Sequence, residues 1–215
     1  ITVTLQKTKQ LLDTGHARSG RKMLTAVGDV MREAYKRGWI TTRDGNCSVR
    51  MKNRPFLYIT PSGCRKTIIH PEHVVKIKIK DEKLSITEHM NPSGELWMHW
   101  HLLKGIKKTK SVLHLHPTYC VAAMYAGWDL KDIVKDFPEV FRYTSVGPNV
   151  PKLQATSSEL ADQTYEKFCI DGKIAYDIVG QECHGVTAIA NNPWDAFEHI
   201  ERLEHICQIV LASKK

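Results

Sequence analysis

Residues 47–60 read CSVRMKNRPFLYIT, and this stretch decides which kind of sheet the chain builds. The segments 47–51 and 56–60 are short and rich in apolar and β-branched residues, which is typical of strands, and the KNRP sequence between them is typical of a turn. Two strands joined by so short a turn pair as an antiparallel hairpin. The sequence therefore predicts that the fold contains an antiparallel sheet.

The pattern on either side of this hairpin alternates between helices and further strands. Before it, apolar residues recur every three or four positions and predict an amphipathic helix that ends at Gly38. After it, Ser93 is a good N-cap, and Pro117 suits the first turn of another helix. The predicted helices are 21–38, 93–105, 117–127, 158–169 and 193–212, and the predicted strands are 47–51, 56–60, 74–80, 84–87, 111–116, 174–179 and 185–190.

These elements predict an α/β fold in which one central, largely antiparallel sheet is covered by helices on both faces. No internal stretch is typical of a linker, so we expect residues 1–215 to form a single domain. Residues 1–20 are polar and contain two glycines, and we predict a poorly packed N-terminal arm or a short helix there.

Composition excludes several classes of protein. The longest apolar runs are far shorter than the ~18 residues that a membrane span needs. The N-terminal residues show no targeting pattern, so we expect a cytoplasmic protein with no membrane partner. The six cysteines form no C-x-x-C pair, which favours free thiols over a zinc ribbon or a disulfide framework.

The formal net charge of +8 permits a nucleic-acid partner, but such a partner requires clustered basic residues. In residues 76–80, KIKIK, lysines alternate with isoleucines, which is typical of a strand with one solvated face. We therefore predict no nucleic-acid binding. A basic surface also suits an enzyme that attracts anionic substrates.

A candidate metal site lies at the end of the predicted strand 111–116. His114 and His116 are two residues apart, so both imidazoles point to the same face. Such a pair alone is more often an ordinary surface pair than a metal site. His184 is the best third ligand, since Gly185 after it allows close backbone approach; Cys183 is the alternative, but an all-imidazole site favours the histidine. Three histidines leave one tetrahedral position open, as catalytic zinc requires.

Five segments, taken in order, resemble the class II aldolase/adducin family, and within it the L-fuculose-phosphate aldolase branch. Each segment alone is a weak signal, but their order and spacing cover most of the chain from Arg21 onward. The segments are GNCSVR at 45–50, ITPSG at 59–63, PSGE at 92–95 with His99, VLHLH at 112–116, and ECHGV at 182–186.

This resemblance implies a zinc-dependent aldolase that cleaves a ketose 1-phosphate, similar to fuculose 1-phosphate, reversibly to dihydroxyacetone phosphate and an aldehyde. It implies a homotetramer, zinc on the three histidines, and a proton-transfer role for Glu95. It matches Tyr143 to a tyrosine near the aldehyde half of the substrate. The phosphate-binding residues that it implies are Asn46, Ser62, Gly63, Ser93 and Gly94.

The implied phosphate site makes physical sense, because Ser93 and Gly94 stand at a helix N-terminus, where free N–H groups favour an anion. Each of these residue types is also common in ordinary turns, so none of them alone indicates a phosphate site. The family pattern often has a second serine where this chain has Gly94. Without the resemblance, Glu95 would be interpreted as a first-turn residue whose charge interacts favourably with the helix dipole and stabilises the helix by ~0.5 kcal/mol.

Other functions stay open within the same resemblance. The sibling enzymes are a pentulose-phosphate 4-epimerase, a methylthioribulose-phosphate dehydratase and a decarboxylase of a 3-oxo acid phosphate. The epimerases have an aspartate at the position of Glu95, so the glutamate favours the aldolase, the dehydratase or the decarboxylase. A non-catalytic, adducin-like scaffold is disfavoured, because it has no need of three histidines and Glu95.

Overall fold

A central antiparallel sheet organises the protein in the computed structural model, which describes residues 20–51, 54–81, 83–86, 91–105 and 110–213. The strands in those ranges are β1 (Asn46–Arg50), β2 (Phe56–Ile59), β3 (Val75–Lys80), β4 (Lys83–Ile86), β5 (Ser111–Leu115), β6 (Cys169–Ile170), β7 (Lys173–Ile174), β8 (Ile178–Gln181) and β9 (Gly185–Ala190). Seven of them form the sheet in the order β4-β3-β2-β1-β5-β9-β8, and each pair of neighbours is antiparallel.

Helices cover both faces of this sheet. They are α1 (residues 20–36), α2 (Leu96–Gly105), α3 (Thr118–Tyr125), α4 (Leu130–Ile133), α5 (Pro138–Tyr143), α6 (Ser158–Phe168) and α7 (Pro193–Ser213). One face carries α1, α3 and α7, and the other carries α2 and α6. The alternation of strand side chains explains this division, because Leu113 and Leu115 of β5 pack into the first layer while Val112 packs into the second.

The predicted fold class is therefore confirmed, including the antiparallel hairpin at 47–60. All six cysteines lie within the described ranges and are free thiols, as predicted. In the same ranges, no helix is long and apolar enough to cross a membrane. The predicted arm falls on residues 1–20, of which 1–19 lie outside the described residues.

The predicted strand 174–179 is wrong. Its first residue belongs to a separate two-stranded ribbon in which β6 pairs with β7, and the sheet strand β8 begins only at Ile178. The cause is the turn at Asp171 and Gly172, which have φ angles of 50° and 70°. Two successive residues with positive φ form the tight turn that hairpins prefer, and this turn reverses the chain before β8.

The packing of α7 gives a prediction about stability. Phe197 is 2% exposed and its ring stacks on Trp39 with centroids 5.1 Å apart. Phe197→Ala is expected to lower the free energy of unfolding by about 3–5 kcal/mol, because it removes a buried aromatic side chain and leaves a cavity. Urea unfolding followed by circular dichroism measures this loss. Ile209→Ala, on the same helix at 41% exposure, is the matched control, and equal unfolding midpoints for the two variants would contradict this packing.

Candidate functional site

Three histidines converge at one end of the central strand β5. His114 lies within β5, His116 follows it directly, and His184 lies in the turn between β8 and β9. The strand register explains why the three histidines converge. Thr187 of β9 lies opposite His114 of β5, and this register places the turn before β9 just past the end of β5. One ligand nitrogen from each histidine lies within 4.8 Å of the others, and the Nε2 atoms of His114 and His116 are 3.0 Å apart.

A glycine makes this approach possible. A Cβ atom on Gly185 would lie 2.4 Å from the carbonyl oxygen of Leu115 and 2.7 Å from Cδ2 of His116. The turn that carries His184 can therefore pack against the end of β5 only if the next residue has no side chain. Cys183, the alternative ligand, has a φ angle of 57° and is exposed, so it does not join the three imidazoles.

The environment keeps these histidines neutral. Burial lowers the pKa of His114 well below its ordinary value, and the neighbouring His116 and His184 lower it further. Burial and His184 lower the pKa of His116 to about 4, and burial also lowers the pKa of His184. Neutral imidazoles keep a nitrogen lone pair, which is the form that binds a metal ion.

One observation tests whether the three histidines fit a metal ion. Nδ1 of His184 is buried and has no hydrogen-bond partner among the described residues. A buried polar atom without a partner costs free energy, and a cation among the three rings would satisfy it. The three imidazoles fit Zn²⁺ or another divalent ion of similar preference, with a coordination position left for substrate.

Glu95 lies in the same pocket, just before α2. It is 7% exposed, and its Oε1 accepts a hydrogen bond of 3.0 Å from the backbone N–H of Thr156. Burial raises the pKa of the Glu95 carboxyl, whereas the hydrogen bond from Thr156 opposes this shift. The Ser93 hydroxyl accepts from the backbone N–H of Glu95 at 3.3 Å, so Ser93 caps this helix start as predicted.

The pocket that contains the histidines and Glu95 has a volume of about 190 Å³. All five residues predicted to bind phosphate line it: Asn46, Ser62, Gly63, Ser93 and Gly94. The structure also gives a reason for Gly94 in place of serine. A Cβ atom there would lie 2.9 Å from Cγ2 of Thr156, the residue whose N–H holds Glu95.

Comparison with known proteins agrees with this geometry. A family model described as the class II aldolase and adducin N-terminal domain matches residues 25–211. The chain belongs to this family. The resemblance predicted from the five sequence segments is therefore confirmed.

Relatives within the class II aldolase and adducin family carry the names of different reactions. The chain is 29% identical over 173 residues to 5-deoxy-D-ribulose 1-phosphate aldolase of Bacillus thuringiensis serovar kurstaki, covering 79% of this chain and 75% of that protein. It is 26% identical over 184 residues to 3-oxo-tetronate 4-phosphate decarboxylase of Pectobacterium atrosepticum, covering 82% and 78%. The structure of L-fuculose-1-phosphate aldolase from Thermus thermophilus has the same fold, with a TM-score of 0.74 at 23% identity, covering 89% of this chain and 94% of that one.

Lys66 was not predicted from the sequence, and it also belongs to the pocket of the three histidines and Glu95. Lys66 lines the pocket, is 2% exposed, and donates hydrogen bonds to the carbonyl oxygens of Arg43 and Cys64 at 3.0 and 3.2 Å. Among the described residues no carboxylate forms an ion pair with it. Burial lowers its pKa. Its position just after the Ser62-Gly63 turn was the only signal in the sequence.

His99 was predicted only as part of the resembling segment at 92–99, with no role of its own, and in the structure it orients Asn46. Its Nε2 contacts Oδ1 of Asn46, and its Nδ1 lies 2.6 Å from Oγ of Ser48. Burial lowers the pKa of His99 to about 3, so the ring is neutral. Because an amide oxygen can only accept, Nε2–H donates to Asn46 and Ser48 donates to Nδ1. The amide NH₂ of Asn46 is left available to the pocket.

Tyr143 lies apart from the other candidate residues. It ends α5, is 48% exposed, and has the guanidinium groups of Arg142 and Arg202 within 5.3 Å of its ring centroid. It is not among the described residues that line the pocket. Its role therefore stays a prediction.

Proposed function

We propose that this chain is a zinc-dependent aldolase that cleaves a ketose 1-phosphate reversibly to dihydroxyacetone phosphate and an aldehyde. The observation that carries the proposal is the pocket itself, in which three neutral histidines and the buried carboxyl of Glu95 meet the predicted phosphate donors. A bound zinc ion would act as a Lewis acid that stabilises the negative charge developing on the substrate oxygens. Zinc would be held by His114, His116 and His184.

Glu95 has the properties of a proton-transfer group for this reaction. Cleavage next to a ketone leaves a carbanion equivalent on the three-carbon fragment, and a base or acid must exchange a proton with it. Burial raises the pKa of the Glu95 carboxyl, which brings it nearer to neutral pH and makes it a better proton acceptor. The N–H of Thr156 holds one carboxyl oxygen, so the other is left to act on substrate.

The phosphate group would bind to the polar donors that line the same pocket. Ser62 and Ser93 offer hydroxyl groups, since their backbone N–H groups already donate to the carbonyl oxygens of Asn91 and Thr60. Gly63 offers a backbone N–H, and Asn46 offers the NH₂ that His99 leaves available. Lys66 adds a buried positive charge whose present partners are backbone carbonyl oxygens. A phosphate dianion gains most from charged donors.

A sibling reaction is the second candidate, because a relative at 26% identity is named a decarboxylase and one at 29% is named an aldolase. Both reactions, like dehydration and epimerisation by the other siblings, suit a metal ion beside a proton-transfer group. A panel of ketose 1-phosphates with dihydroxyacetone phosphate as the detected product tests the aldolase directly. Conversion of a 3-oxo acid phosphate with release of carbon dioxide, and no cleavage of any ketose 1-phosphate, would select the decarboxylase.

The proposal includes the homotetramer that the resemblance implied. Tyr143 belongs to the proposal only through such an assembly, because it does not line the pocket of its own chain within the described residues. Light scattering coupled to size-exclusion chromatography measures the assembly. A monomer at enzyme-assay concentrations would remove both the tetramer and Tyr143 from the proposal.

Lys66 provides a test of substrate charge. Lys66→Met is expected to lower kcat/KM for a ketose 1-phosphate by about 10–100-fold, since a hydrogen bond between charged groups is worth about 1.5–3 kcal/mol. The reaction with the unphosphorylated ketose, slow in wild type, should not change further. Initial rates on both substrates measure the effect.

The matched control is Lys78→Met, which removes the same charge from the exposed side of β3. It separates local binding from general attraction of anions by the basic surface. Lys66→Arg keeps the charge and should keep most of the preference for phosphate. Equal kcat/KM for phosphorylated and free ketose in wild type would contradict the phosphate site as a whole.

A further inference from the structure

A chain of buried polar side chains leads away from His114 into the core. Nδ1 of His114 lies 3.1 Å from Oγ1 of Thr187, and this hydroxyl lies 3.1 Å from Oε1 of Gln181. The amide of Gln181 continues to Oγ1 of Thr164 in α6 at 2.9 Å. Each of these four side chains is at most 1% exposed, so their hydrogen bonds are made to one another and not to bulk water.

The orientation of the Gln181 amide follows from its neighbours. Its Nε2 lies 3.2 Å from Sδ of Met98 as well as 2.9 Å from the Thr164 hydroxyl. A thioether sulfur can accept a hydrogen bond but cannot donate one, so the side of the amide that faces it must be the NH₂ group. Oε1 of Gln181 therefore faces Thr187, and an amide oxygen can only accept.

The proton of the Thr187 hydroxyl is then directed away from His114. Its other two neighbours are Oε1 of Gln181 at 3.1 Å and Sδ of Met98 at 3.6 Å, and both can only accept. Thr187 must accept from His114, which places the ring proton on Nδ1. A neutral imidazole carries one proton, so Nε2 of His114 presents its lone pair towards His116 and His184.

We propose that Thr187 and Gln181 are positioning residues that select the Nδ1–H tautomer of His114 and so direct its Nε2 lone pair to a metal ion. The inference rests on the proposed function only in taking the three histidines as metal ligands, and it does not depend on which reaction follows. Partners that hold the second nitrogen of a ligand histidine typically change metal affinity by about 10–100-fold. Here that partner is a neutral hydroxyl, oriented by an amide, beside the backbone carbonyl of Val186, which also accepts from the His114 ring.

Thr187→Val tests the proposal, because valine has nearly the same shape as threonine but no hydroxyl. The zinc affinity of this variant, measured by competition with a chromophoric chelator, is expected to be about 10–100-fold weaker than that of wild type. In metal-free protein, ¹⁵N NMR of the imidazole nitrogens should show His114 as the Nδ1–H tautomer in wild type. The preference should be weaker in the variant, where the carbonyl of Val186 is the remaining acceptor. Thr187→Ser keeps the hydroxyl and should restore both properties.

The matched control is Thr144→Val, which removes a buried hydroxyl beside a different histidine. Oγ1 of Thr144 lies 2.9 Å from Nδ1 of His199, and neither residue lines the pocket within the described ranges. This variant should bind zinc like wild type. Gln181→Met, which removes the amide but keeps the length of the side chain, should shift the tautomer in the same direction as Thr187→Val.

The outcomes separate this inference from the proposed function. Unchanged zinc affinity and unchanged tautomer in Thr187→Val would overturn the inference while leaving the aldolase intact. Weaker zinc binding with the Nδ1–H tautomer retained would also overturn it, because the hydroxyl would then act by packing alone. A wild-type protein that binds no metal would end the proposed function, whereas the tautomer of metal-free His114 would still confirm or refute the role of Thr187.

Discussion

A His114→Ala variant is expected to lose its stoichiometric zinc and all measurable aldol cleavage. His114 is the most buried of the three proposed ligands, at 1% exposure, and its ring contacts both of the other two. No other described histidine, cysteine or carboxylate has a ligand atom in this cluster, so the variant keeps only two of the imidazoles. The loss of affinity should therefore exceed the ~10–100-fold effect typical of an outer partner of a ligand.

Elemental analysis of protein purified without chelator measures this result. His101→Ala is the control, since it also removes a histidine. The imidazole of His101 contacts Asp162 at 3.0 Å and does not belong to the cluster. That variant should retain zinc. Wild-type protein without a stoichiometric divalent metal, or a His114→Ala variant with wild-type zinc content, would remove the metal centre from the proposed function.

Glu95→Gln is expected to lower both aldol cleavage and deuterium exchange into dihydroxyacetone phosphate by about 10²–10⁴-fold, the usual contribution of a positioned acid or base. Glutamine keeps the size of the side chain and an oxygen that can accept from the N–H of Thr156, but it cannot take up a proton at neutral pH. Zinc should stay bound, because the three histidines are unchanged. The exchange assay needs no aldehyde, so it tests the proton step without knowledge of the full substrate.

Glu204→Gln is the matched control for this variant. Glu204 is a second buried glutamate, at 5% exposure, whose pKa burial also raises, but it accepts hydrogen bonds from the backbone N–H groups of Tyr119 and Cys120 at the start of α3. Its replacement should reduce stability while the folded fraction exchanges deuterium normally. If Glu95→Gln bound zinc and exchanged at the wild-type rate, Glu95 would be only a residue of the helix start.

The sequence predicts the sheet and most helices because their signals are local. The apolar and β-branched residues in 47–60 and the cap at Ser93 act within a few positions, and the structure has the hairpin and the helix where these signals put them. The failure at 174–179 is also local in origin. The Asp171-Gly172 pair is a hairpin signal, and it outweighs the apolar run that follows it.

The site was less predictable, because the residues whose roles were missed make their contacts with residues far away in the sequence. Lys66 is held by the carbonyl oxygen of Arg43, and His99 by the amide of Asn46, pairs that lie 23 and 53 positions apart. No spacing rule connects such residues before the sheet brings β1 next to α2. The reason for Gly94 is equally distant, since it depends on the methyl group of Thr156.

The turn that carries His184 has a further consequence for how the protein would acquire the proposed metal ion. β5 and β9 are joined by main-chain pairing from Ser111 opposite Ala190 to Leu115 opposite Val186, so the sheet itself positions the histidines. Removal of a bound ion is therefore expected to leave the fold intact, unlike in a zinc finger. Nitrogen ligands generally bind Cu²⁺ more strongly than Zn²⁺, so metal supply as well as the three histidines would decide which ion occupies such a site. The metal content of a given preparation would then depend on the growth medium as well as on the amino-acid sequence.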